Sequence, residues 1–473
     1  MPPSPAQSTP EHRILVPVLV LLGLVVAAVG SLGAPLVPTV AAVDRVSLGS
    51  AQWTLTITLL AGAVSTPVLG RLGDGPRRRR LVLGVLLVVL TGSLLTAVPL
   101  GFGWLLVGRA LQGVGLGLTS LAIASARDSL APDRWKPTAA ALSITTVAGI
   151  GLGYPVAGWL TERFGVHAAY GAGAAVVAVT LVLAALVLPD SPSREGRPLD
   201  LAGAVLLGVA LAGLLVALSQ AQAWGPLSGR VLALTGTSLA VLAAWVWLEL
   251  GAEHPLVDLR SLRNRAVLTA DVTVLIGGVG MYLLLSLVSR FVQTPTSAGY
   301  GFGASVLVAG LVLTPFSLLG FVAGRLLAAV VRRTSSRVAL AVGCGVVLLA
   351  MVLFAAARTQ LWEVFVVMGV AGLGVGITLG AVPSLVGGAV PAHETGSAMS
   401  FNQVLRTVGF CAGSALSAVI LEAYTPQGSL LPRGDGYQVA ARGGSAAMAA
   451  TIAVSLVLAR GSLRPPAGAD RRG

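Results

Sequence analysis

Five polar side chains stand where the surrounding sequence is almost wholly apolar. Arg109 and Gln112 fall in the run at 103–125, Asn402 and Arg406 in the run at 396–422, and Asp271 about one turn into the run at 266–290. A charge inside a bilayer is costly unless it faces the protein interior, a partner or a water-filled path. These positions therefore mark either a route for charge or a polar tie between helices. Arg109 fits a buried cation facing a bundle interior; the lesser alternative is an arginine that solvates backbone carbonyls or reaches the interface. Asn402 and Arg406 are spaced to share one face of a helix, where bonding between helices explains them as readily as chemistry does. Asp271 fits a proton carrier or a cap near the interface.

Two further patterns belong to backbone geometry. Gly70-Arg71-Leu72-Gly73-Asp74-Gly75-Pro76 is followed by Arg77, Arg78, Arg79 and Arg80, a short basic turn caught between apolar runs. Such a turn joins two transmembrane helices and stays in the cytoplasm, because its arginines resist translocation. The Asp74 carboxylate can meet the positive end of the following helix or one of the guanidiniums. In the run at 138–160, Gly149, Gly153 and Ala157 recur every fourth residue and form a small-residue stripe that lets another helix come close.

The elements that must hold these residues are helices. Of 473 residues 55% are hydrophobic and 10% charged, with a mean hydropathy of +0.88, where soluble domains carry about 25% charged residues. Runs of about 20 apolar residues each cross a bilayer. We place fourteen, near 14–40, 50–69, 81–100, 103–125, 138–160, 167–188, 201–219, 230–250, 266–290, 303–327, 337–357, 361–387, 396–422 and 440–459. The expected divisions are a cytoplasmic tail (1–13), a six-helix bundle (14–188), a linker with two extra spans (189–265), a second six-helix bundle (266–459) and a cytoplasmic tail (460–473). With both termini inside, about 22 of the 31 Lys+Arg fall in cytoplasmic segments. That topology explains the net charge of +13 better than nucleic acid does. The segment from Gly113 to Pro132 runs parallel to that from Gly372 to Pro391, and Gly70-Arg71-Leu72 has a counterpart in Gly324-Arg325-Leu326, so the halves read as repeats.

Several chemistries find no support. Lys136 is the sole lysine and stands outside any phosphate loop. Cys344, Cys411 and the four histidines are scattered, which supports neither a disulfide framework nor a metal site. No nucleophile and base stand together as an enzyme would need, and no cofactor is expected.

Together these motifs resemble those of the major facilitator superfamily of secondary transporters. Gly70, Leu72, Asp74 and Arg78 match its cytoplasmic loop between the second and third helices, for which the resemblance implies a gating role. Arg109, Gln112 and Gly113 match its fourth-helix motif, where the arginine is associated with proton coupling. Gly149, Gly153, Pro155 and Gly158 resemble the fifth-helix motif of its exporters. Asn402, Arg406, Gly409 and Gly413 resemble the corresponding helix of the fourteen-span drug:proton antiporter branch, and Gln293 fits a glutamine closing the ninth span there. That branch carries an acid ahead of the first-span proline, and counting back from Pro38 lands on Val29. The resemblance implies an all-α polytopic membrane protein of two six-helix bundles plus two linker helices. It further implies proton-coupled efflux of small amphipathic organic compounds, for which Asp44 near the outer end of the first span is either a displaced substitute for the missing acid or an ion-pair partner of adjacent Arg45; uniport or import of a metabolite, or a non-transporting sensor or scaffold, are the alternatives. A monomer in a bacterial plasma membrane, surrounded by lipid and without nucleic acid, is expected.

Overall fold

The computed structural model describes residues 10–460 apart from 34–35, 47, 191–199, 226, 254, 257–258, 334, 392–394 and 427–430. The side chains of 10–13, 38, 48–49, 52, 132–133, 136, 144, 146–148, 150, 219, 222–223, 261, 324–333, 337, 396–397, 415, 418, 422 and 457–460 also lie outside the described residues, and with them the Arg325 counterpart of the basic turn. The chain folds into α1 (Pro10–Ser31), α2 (Val37–Val43), α3 (Leu48–Gly73), α4 (Arg78–Ala97), α5 (Phe102–Val114), α6 (Leu118–Ser129), α7 (Pro132–Phe164) and α8 (Val166–Val187). A hairpin of α9 (Leu201–Trp224) and α10 (Gly229–Gly251) follows. The rest is α11 (Arg265–Gln293), α12 (Val306–Val312), α13 (Thr314–Arg333), α14 (Ser336–Ala356), α15 (Leu361–Gly387), α16 (Thr395–Ala423) and α17 (Gly434–Arg460). Helices satisfy their backbone polar groups internally, as hydrocarbon requires.

Among the described residues thirteen helical segments are long and apolar enough to cross a membrane. The fourteenth expected span is α7, a helix of 33 residues reaching about 50 Å, which is not among the thirteen. Three expected spans are broken. The first divides into α1 and α2, with Pro38 in the opening turn of α2, where its missing N–H is no loss. The fourth bends through a 3-10 turn at Gly115–Gly117 between α5 and α6. The tenth pauses at Leu313, just before Pro315 interrupts the backbone ladder between α12 and α13. Polar residues set many of the starts: Asp200, Ser228, Ser305 and Ser335 each accept a backbone N–H of the first turn of their helix.

Contacts gather the helices into two bundles, α1–α8 and α11–α17. Leu19, Leu22 and Leu86 are fully buried in the first, Leu340 and Phe354 in the second. Facing outward, Leu186 and Trp247 are 75% and 80% exposed, a surface that only lipid solvates well. The repeat read from the sequence is visible in the packing. A Cβ on Gly113 of α5 would strike the Thr58 carbonyl of α3, and one on Gly372 of α15 would strike the Phe316 carbonyl of α13. Gly115 and Gly374 likewise face Val89 of α4 and Gly343 of α14. Equivalent glycines thus seat equivalent helices in the two halves.

Candidate functional site

The polar residues read from the sequence divide among four places. At the arginine-rich end, Asp74 closes α3 through its backbone N–H, 3.1 Å from the Gly70 carbonyl. Arg78 opens α4, donates to Asp128 Oδ2 at 2.6 Å and also reaches the Gly73 carbonyl. Both side chains of that ion pair are 5% exposed, so each charge depends on the other for its solvation. Arg79 ties the same turn to the end of α8 through Ala185 O and Asp190. Leu72 stands 42% exposed. Asp128 and Asp190 were not read from the sequence, because nothing local links them to a turn 50 or more residues away.

Deep in the first bundle, Arg109 is 1% exposed and held entirely by neutral acceptors. Its Nε donates to Thr54 O at 3.1 Å, and its Nη1 to Val29 O at 3.2 Å and Gln112 Oε1 at 2.8 Å. Gln112 Nε2 in turn donates to Ser93 Oγ and Thr96 Oγ1. This one cluster ties α1, α3, α4 and α5 together. Val29, which stands where the resemblance calls for an acid, meets the guanidinium with its backbone carbonyl.

The fifth-span motif splits over two faces of α7. A Cβ on Gly149 or Gly153 would stand 2.5 Å from Ala27 or Ser31 of α1, so the stripe seals the inside of its own bundle. Across the helix, Gly151 abuts Ser317 of α13, Pro155 lies against Gly310 of α12, and Gly158 against Leu307. Glu162 Oε1 accepts the Leu307 N–H at 3.2 Å. That second face is half of the seam between bundles, and Gly151 and Gly310 belong to it although no spacing pattern marks them out.

At the centre of the seam, a narrow cavity is lined by Thr119, Ser120, Ser143, Asn402, Gln403 and Arg406, with apolar residues of α15 and α16. Asn402 and Arg406 do share a face. Asn402 Nδ2 donates to Asp271 Oδ1 at 2.7 Å, and Asp271 is 3% exposed behind it. Asp271 does not cap its helix, since the Asn264 side chain accepts the Ala266 N–H at the start of α11. Gly409 and Gly413 let α16 lie directly on the Leu275 and Val279 carbonyls of α11, and Gln293 closes α11. Toward the arginine-rich end Ser400 and Ser120 bond across the seam at 2.9 Å. Arg127 of α6 reaches Thr395 and the Val390 carbonyl, with its guanidinium 5.2 Å over the Trp135 ring. Small hydroxyl residues and a lone tryptophan carry little signal in a sequence this apolar.

Two pseudo-equivalent helical bundles meeting along a polar seam, with charges kept in the interior, define a polytopic membrane transporter rather than an enzyme. The chain belongs to the Major Facilitator Superfamily, whose family model matches residues 19–414. It is 30% identical over 382 residues to the Multidrug resistance protein B homolog of Mycobacterium tuberculosis, covering 78% of this chain and 68% of the relative. It is 28% identical to Multidrug resistance protein Stp of the same organism, covering 79% and 69%. The crystal structure of the human organic anion transporter MFSD10 (TETRAN) shares the fold at a TM-score of 0.67, with 18% identity, over 95% of this chain and 100% of that one.

Proposed function

We propose that the protein expels small amphipathic organic compounds, such as drugs, antibiotics or secondary metabolites, in exchange for protons, by alternating access across the seam. The observation that carries the proposal is the pairing at its centre: a buried carboxylate, Asp271, hydrogen-bonded to Asn402, which itself lines the cavity. A carboxylate so placed can take a proton without leaving the protein, and Asn402 can pass the change to the cavity wall. The multidrug-resistance names of the mycobacterial relatives support the substrate class. The arginine cluster at 77–80 supports a cytoplasmic position for that end, with both termini on the same side of a bacterial plasma membrane. We take the working unit to be a monomer.

The test is purified protein in liposomes that hold a pH dye, with a panel of amphipathic compounds under an imposed pH gradient. Wild type should move protons when a transported compound is added. Asp271→Asn, which keeps a partner for Asn402, should lose proton movement yet still exchange labelled compound for unlabelled. Proton movement surviving in Asp271→Asn would remove that residue from the mechanism. Val29 in place of a first-span acid favours one second reading, uniport, and a wild type that carries compound but never protons would establish it.

A further inference from the structure

Among the described residues, no carboxylate forms an ion pair with the cation that lines the cavity. Arg406 is 7% exposed and lines the cavity, where its guanidinium bonds Gln403 Oε1 and lies 6.0 Å over the Phe410 ring. Two ion pairs, Arg78–Asp128 and Arg79–Asp190, lie away from it at the arginine-rich end. Asp271, the carboxylate beside this cavity, is turned to Asn402 instead. Arg109 offers the contrast. Three of its contacts go to acceptors of its own bundle, and it does not line the cavity, so it reads as a structural cation. A guanidinium has five N–H donors, and among the described residues Arg406 donates to Gln403 alone. Arg406 lines a cavity whose other walls carry the hydroxyls of Thr119, Ser120 and Ser143 and the Asn402 amide beside apolar residues of α6, α15 and α16.

We propose that this cavity binds the anionic group of the transported compound, a carboxylate, sulfonate or phenolate on an apolar body, with Arg406 as its counter-charge. The inference rests on the transport reading above and narrows its substrate class to organic anions. A planar guanidinium suits the two oxygens of a carboxylate or sulfonate, and bonds of this charge-assisted kind are about twice as strong as neutral ones. Ser143 and the second N–H of Asn402 add donors beside the guanidinium, since one Asn402 N–H goes to Asp271 and the Ser120 hydroxyl already donates to the Gly117 carbonyl. Ser120 and Ser143 come from the first bundle and Asn402 and Arg406 from the second, so an anion held here touches both. In this conformation the bundles stand closed on the site, and the anion's arrival or departure requires them to part.

The experiment measures equilibrium binding by fluorescence anisotropy to the full chain in nanodiscs, with fluorescein as the anionic probe and rhodamine 6G as a cationic probe on the same ring scaffold. Wild type should prefer fluorescein. Arg406→Gln should weaken fluorescein at least tenfold, the scale of a lost bond to a charged group, while rhodamine 6G changes less than threefold. Arg406→Lys should recover part of the preference. A wild type that prefers rhodamine 6G overturns the inference without any variant having to fold, and so does an Arg406→Gln protein that keeps its preference for the anion. Liposome flux separates the two claims. Anion preference without proton movement leaves this inference standing and removes proton exchange, whereas proton-coupled flux without anion preference does the reverse.

Discussion

Arg109 shows how a bilayer-embedded cation can be retained without a carboxylate: carbonyl oxygens of α1 and α3 and the Gln112 amide surround it. Removing one acceptor strands a buried donor, which costs about 1–3 kcal/mol. Gln112→Leu should therefore lower the thermal unfolding midpoint of the purified protein clearly, and an unchanged midpoint would remove Gln112 from the tie. Arg78 and Asp128 differ in kind, since each is charged and 5% exposed. Deleting either partner alone should destabilise by about 3–5 kcal/mol. Arg78→Ala/Asp128→Ala together should cost clearly less than the sum, as a double-mutant cycle in denaturant would measure. The interior positions of Arg109 and Arg406 were legible in the sequence because a charge in an apolar run stands out, whereas Asp271, one turn from a helix start, read equally as a cap. Their partners were not, since Val29 and Thr54 act through backbone carbonyls that any residue supplies.

Element boundaries were legible where hydropathy changes sharply and illegible where a helix breaks without a polar stretch. The run at 14–40 reads as one helix, yet it contains the turn between α1 and α2; only Gly33 and the prolines mark it. In α7 the spacing of Gly149 and Gly153 showed a close seam, but spacing cannot tell which neighbour fills it. The structure assigns that stripe to α1 and the opposite face to α12 and α13. The two faces should respond differently to bulk. Gly149→Val overpacks one bundle and should lower stability by about 1–3 kcal/mol. Gly310→Val pushes instead against the Pro155 backbone across the seam, where a Cβ would stand 3.0 Å from the proline nitrogen. It should cut flux at least several-fold in liposomes with a smaller loss of melting temperature, and equal losses in both variants would deny α7 its two roles.

At the scale of the whole molecule, the bundles are held closed toward the arginine-rich end by a few side chains: Ser120 with Ser400, and Arg127 with Thr395 and Val390. These residues lie 280 and 268 positions apart in the chain, a pairing that no local pattern could reveal. If transport needs this contact to open, Ser120→Cys/Ser400→Cys should lose flux on oxidation and regain it on reduction, while oxidation leaves the flux of each single variant unchanged. Flux that persists through a confirmed crosslink would mean that the two halves exchange without separating here.

The linker hairpin gives the molecule unequal flanks. Along one of them α9 packs against both α3 and α16, and Leu207, Leu211 and Leu215 share a cluster with Ala63 and Val404. Along the other, where α7 meets α12 and α13, Val156, Trp159, Leu318 and Phe321 are 49% to 60% exposed and nothing covers them among the described residues. A greasy solute dissolved in the membrane therefore meets a shuttered wall on the first flank and a bare joint on the second. Any sideways route from the bilayer into the cavity is one-sided, and the hairpin decides which side.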